Sequence, residues 1–146
     1  MGNATQVGPG RRSSGSRADE SGAVAVEFGL LAVILFTLLF GILQFGLWFW
    51  SWQTGAHAAR EAARFAAVQP CDAAGIAGKA DAALDGAPMT GTATIDVDTP
   101  ADVRVGDEIT VHVHFTTADI GFFPGFDGIV DKSATSRVEN VPAGGC

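Results

Sequence analysis

No charged residue interrupts the stretch from Phe28 to Trp52, and no proline falls between Pro9 and Pro70. Cysteine is scarce. Cys71 and Cys146 are the only two, they form no C-x-x-C pair, and neither has a histidine nearby, so the sequence offers neither a redox motif nor a zinc site built on thiolates. The phosphate-cradling G-x-x-x-x-G-K-[ST] loop, the G-x-S-x-G elbow and the H-E-x-x-H metal motif are all missing. These absences remove the usual signatures of a nucleotide-dependent enzyme, a serine hydrolase and a metalloprotease. What remains to do chemistry is His112 with His114, two residues apart on one strand face, to which His57 or an aspartate would have to add a third ligand. The simpler reading places both on the polar face of a half-buried strand. The expectation is a chain that is not an enzyme, with no cofactor and no metal.

The charge-free stretch, FGLLAVILFTLLFGILQFGLWFWSW, would form a helix roughly 37 Å long, against a bilayer hydrocarbon core of roughly 30 Å. The rest of the 146 residues is too short and too rich in glycine and alanine to wrap such a helix in protein. A single transmembrane span follows. Trp48, Trp50 and Trp52 cluster at its far end, as residues that settle at a membrane interface do, and set that boundary near residue 50. Arg11, Arg12 and Arg17 precede the span and favour a cytoplasmic N-terminus, although Arg60 and Arg64 follow it. Beyond Ser51, six basic against thirteen acidic residues leave a net charge of −7, which argues against nucleic-acid binding.

Residues 1–22, dominated by Gly, Ser and Arg at their start, read as a disordered cytoplasmic leader. Residues 23–68 read as one long helix, membrane-spanning to about residue 52, and residues 69–146 as a small extracytoplasmic α+β domain. In the second half of the helix, Trp52, Ala56, Ala59, Ala63 and Ala66 recur at helical spacing, and a stripe so rich in alanine lets a partner surface approach closely. The molecule's own sheet is the expected partner. Glu61 and Arg64 are spaced to pair along the helix, and Pro70 ends it. A short helix is expected within residues 71–84, then strands over 90–97, over 109–115 (ITVHVHF, the clearest alternation) and over 133–141, with a short strand over 102–105 and an apolar loop over 120–129. The fold class is α+β: a long N-terminal helix with one transmembrane span, packed on a small extracytoplasmic antiparallel sheet. Cys71 and Cys146, both beyond the span, read as an extracytoplasmic disulfide that stabilises by about 4 kcal/mol on the loop-entropy model. Two independent thiols are the alternative.

The membrane boundary carries the most informative segment, SGAVAVEF. Gly22 is followed five residues later by Glu27, and then Phe28. A carboxylate at the lip of an apolar span needs a partner or access to water. Within the span Gln44 is a lone amide, able to bond a neighbouring helix or to stay passive, and Gly41 and Gly46 make no G-x-x-x-G pair. Ala56-His57-Ala58 is an A-x-A sequence, but the apolar block before it is too long for a secretory signal.

The arrangement resembles the processing site of type IV pilins of the Flp/Tad branch. The order of its pieces is similar to the TadE-like family of minor pilins (pseudopilins) in Tad/Flp pilus assembly. AVEF stands at Ala25–Phe28, GI-x-x-FG at Gly41–Gly46 and AAREAAR-x-A at Ala58–Ala66. Looser likenesses follow in the V-x-V strand at Val111–Phe115, the Phe/Pro/Gly loop at Phe122–Phe126 and SA-x-x-R-x-E at Ser133–Glu139. The resemblance implies cleavage by a prepilin peptidase between Gly22 and Ala23, charge pairing of the new Ala23 amine by Glu27, and helix contacts between subunits, expected at Val24, Val26, Phe28 and Leu31. The implied partners are the membrane, the peptidase, other Tad/Flp pilins and the inner-membrane assembly platform, in a pilus serving adhesion or secretion. The competing expectation is a permanent single-pass envelope anchor whose outer domain binds a cell-surface partner.

Overall fold

The computed structural model describes residues 16–122 and 128–146, with side-chain environments from Gly22 onward. The elements are helix α1 (Ser16–Val68), helix α2 (Ala73–Ala83) and strands β1 (Met89–Asp98), β2 (Glu108–Thr117) and β3 (Ile129–Arg137). The strands form one antiparallel sheet in the order β1-β2-β3. The long apolar helix and small antiparallel sheet expected from the sequence are present. By its contacts the chain divides into two units between Leu39 and Phe40.

The first unit is the apolar part of α1. From Gly22 to Leu39 its side chains are exposed, with Ala32 half-buried. α1 begins at Ser16, not at the Ala23 start expected from the sequence, because no glycine or proline stands between Ser16 and Ser21 to break it. Residues 16–22 of the expected leader are therefore helical, while residues 1–15 lie outside the described residues.

The second unit has one core. Ile109, Val111, Val113 and Phe115 alternate along β2 and are buried, while His112 and His114 on the other face are exposed. The buried row meets Ala58, Ala59, Ala62, Ala63 and Ala66 of α1, with Ile76, Ala80 and Leu84 from the α2 region and Val130 and Val138 from β3 and its end. Small residues on α1 are what permit this approach. A Cβ added at Gly55 would lie 2.8 Å from Val130 Cγ1 and 3.1 Å from Phe115 Cε1. Hydrogen bonds tie the same face to the sheet: Ser51 Oγ donates to the Pro88 carbonyl at 2.8 Å, Ser136 Oγ to that of Ala63, and Glu139 N to that of Ala67 at 2.7 Å. The last of these satisfies one of the carbonyls a helix end leaves open.

Asp72 caps α2, its Oδ1 accepting from Gly75 N at 2.8 Å; a Cβ at Gly75 would overlap the Asp72 carboxylate and push it from this position. β1 carries a bulge between Thr90 and Thr94 at Gly91, whose φ is +77°. The final strand lies earlier than expected, over Ile129–Arg137; just beyond it Val138 still exchanges backbone hydrogen bonds with Gly106 and Asp107, both at 2.8 Å. Residues 102–105 form no strand. Arg104 N instead donates to Asp107 Oδ2 at 2.8 Å across a turn that Gly106 completes at φ +98°. Cys71 and Cys146 are disulfide-bonded, with Cα atoms 5.2 Å apart.

Candidate functional site: the apolar helix and its boundary

Gly22 and Ala23 lie within α1, and a Cβ at Gly22 would meet nothing within 4 Å. Glu27 is exposed one helical turn beyond Ala23. Side chains on an α-helix lean toward its N-terminus, so the carboxylate of Glu27 leans back over the turn that Ala23 begins. Val24, Phe28 and Leu31 follow at i, i+4 and i+7 and share one stripe with Glu27, whereas Val26 falls on the opposite side. All four apolar residues are exposed, Phe28 at 72% the most. Phe28, Leu31 and Leu35 line a shallow groove on α1 that is almost wholly apolar.

Beyond Leu39, which begins a different use of the helix, one face turns inward. Gln44 is 2% exposed, and its Oε1 accepts from Ile120 N at 3.1 Å; its Nε2 is buried with no hydrogen-bond partner among the described residues. One turn before it, Phe40 stacks on Phe122 with ring centroids 4.4 Å apart. One turn after it, the Trp48 indole occupies the space a side chain on Gly128 would need. The same face continues through Ser51 and Gly55 into the buried alanines. Sequence reasoning named the alanines and left Gln44 open, but it placed Trp52 on the buried stripe. Trp52 is 38% exposed and carries the Lys132 ammonium 3.9 Å from its ring centroid, because an indole is too large for an interface built on alanine and glycine. Phe122, the first residue of the Phe/Pro/Gly loop, lies against Phe40; residues 123–126 of that loop fall outside the described residues. The signal that would have found Gln44, Ser51 and Gly55 is their spacing: small or polar residues at i, i+7 and i+11 prolong the alanine stripe back into the apolar block.

On the open face of the sheet, His112 stands opposite Asp96 and Ser133, and His114 opposite Thr94 and Asp131. Among the described residues no group of three His, Cys, Asp or Glu is placed to hold a metal ion. Glu61 and Arg64 approach to 3.7 Å, both partly exposed, a contact of a few tenths of a kcal/mol at about this separation on a helix.

From Gly22 to Val68, α1 contains a stretch long and apolar enough to cross a membrane, and none of that stretch is buried in protein. Residues 22–64 match the family model described as TadE-like protein. Over that segment the chain is similar to the TadE-like family. The TadE-like segment takes in Gly22, Ala23, Glu27, the exposed stripe, Gln44 and the start of the buried alanines, and stops short of α2 and the sheet. The likeness points to involvement in Tad pilus assembly, to pilus-related partners and to a membrane-anchored, single-pass chain. No curated protein and no solved structure matches the chain.

Proposed function

We propose that the chain is a minor pilin (pseudopilin) of a Tad/Flp-type pilus, with an architectural and not a catalytic role. In this reading the N-terminus is cytoplasmic, the sheet domain is extracytoplasmic, and a prepilin peptidase cuts between Gly22 and Ala23. The observation that carries the reading is the TadE-like match over residues 22–64, which opens at Gly22 itself. Cleavage would free an α-amine on Ala23, mostly charged at neutral pH. Glu27, one turn on and leaning toward it, supplies the counter-charge on its own chain or on the next subunit. Burying either charge alone among other pilins would cost about 3–5 kcal/mol, so the pair acts as a register device during assembly. Val24, Phe28 and Leu31 then offer one apolar stripe to neighbouring pilins, with Val26 serving a second neighbour from the opposite side.

The test is the intact mass of the protein isolated from cells with an active leader peptidase. A chain starting at Ala23 is expected. A chain that retains residues 1–22 would leave a permanently anchored envelope protein instead.

A further inference from the structure

The described parts of the connection from β2 to β3, residues 118–122 and Gly128, lie against the apolar stretch of α1. Three contacts mark the route: Gly128 against Trp48, Ile120 N donating to Gln44 Oε1, and Phe122 stacked on Phe40. The three helix residues stand four apart and share one face. From Trp48 to Phe40 the helix advances about 12 Å away from the residues that meet the sheet. Trp48 belongs to the tryptophan cluster that marks the interface, so Gln44 and Phe40 lie below it, at the depth of acyl chains.

Two observations fit that depth. Ile120 and Phe122 present apolar side chains that are each 42% exposed, so protein covers only part of them. Two backbone N–H groups there have partners within the protein: Ile120 N donates to Gln44 Oε1, and Gly121 N donates to Asp119 Oδ1 at 2.8 Å. Polar backbone groups at membrane depth need partners within the protein, because lipid supplies none. A lone amide buried in an otherwise apolar stretch of helix supplies one of them.

We infer that residues 120–122, at the start of the β2–β3 connection, are a second membrane contact, with Ile120 and Phe122 entering the hydrocarbon of the leaflet on the sheet's side while Gln44 holds the backbone of Ile120 at that level. Its partner is the acyl chains of the bilayer, reached to the roughly 5–10 Å typical of interfacial insertions. The inference rests on the membrane-spanning reading of α1 and is independent of leader cleavage.

The experiment places single nitroxide labels on the full chain in phospholipid vesicles, at Ile120→Cys and, separately, Phe122→Cys. Leu35→Cys serves as the reference within the span and Asp98→Cys as the reference on the sheet. Relaxation by oxygen, which concentrates in lipid, is compared with relaxation by a water-soluble nickel chelate. The expected result is a loss of nickel accessibility at 120 and 122 relative to 98, with oxygen accessibility approaching that at 35. Labels at 120 and 122 that behave like 98, while 35 reads as lipid, would overturn the inference and leave the span intact. An aqueous reading at 35 as well would remove the membrane reading along with it. Shielding from both reagents, with broadening that disappears on dilution by unlabelled protein, would assign the patch to a second copy of the chain and also overturn it.

Discussion

The two halves of α1 reverse the usual sorting of side chains by size. Before Phe40 the large residues, among them Val24, Phe28, Leu31 and Leu35, are exposed; beyond Gln44 the residues that are buried are mostly Ser51, Gly55 and alanines. In a water-soluble helix the large apolar residues would be inside. The difference teaches that each half answers to a different neighbour. Apolar bulk gains free energy against lipid or against other apolar helices, whereas a sheet packed on a helix at close range has room only for methyl groups and bare Cα atoms.

The largest effect should come from breaking the sheet side alone. Phe115→Ala removes the largest fully buried side chain among the described residues and should cost about 3–5 kcal/mol of domain stability. Urea unfolding in detergent checks this, and the protein should remain in the membrane fraction. The converse substitution, Leu35→Arg, should raise the free energy of membrane insertion by about 3 kcal/mol, read as a fall in the membrane-integrated fraction. The sheet domain of whatever protein is recovered should unfold at an unchanged urea midpoint.

A glycine pair sharpens the contrast within one helix. Gly55→Val should destabilise the domain by about 2 kcal/mol, since even its Cβ would press on Val130 and Phe115. Gly46→Val meets open space and should leave the urea midpoint nearly unmoved. The smallest effect is expected at the junction of the two regimes. Gln44→Leu keeps the apolar surface but removes the acceptor of Ile120 N, at about 1 kcal/mol, and should speed hydrogen exchange at the Ile120 amide while sparing amides of β2.

Much of this architecture was legible because it is periodic. The alternation of Ile109, Val111, Val113 and Phe115 specified both the strand and its buried face, and an apolar run without charge or proline specified the helix. Legibility failed where a residue's partner lies far along the chain. Gln44 reads the same whether its amide serves a neighbouring helix or, as here, a loop at Ile120, 76 residues away. The rotation of the buried stripe was misjudged at Trp52 because spacing alone treats tryptophan and alanine alike, and only the closeness of Val130 to Gly55 reveals that bulk is excluded. The start of β3 was hidden by Asp131 and Lys132, charges that sit on a strand whose outer face is open to solvent and whose inner lysine reaches over Trp52. At the membrane boundary the helical period sets Val26 apart from Val24 and Phe28, so spacing alone does not say which neighbours these residues meet.

The division of α1 is tested most directly by a cysteine scan from Val33 to Ala67 on the full chain, held monomeric in phospholipid vesicles, with each site probed by a lipid-soluble and a water-soluble thiol reagent. The account predicts lipid-type labelling at Val33, Ile34 and Leu35, and then protection recurring every three to four residues from Gln44 through Ser51, Gly55 and Ala59. Protection at Val33, Ile34 or Leu35 in the monomer as strong as that at Gln44 would contradict it, because these exposed large residues would then have a protein partner.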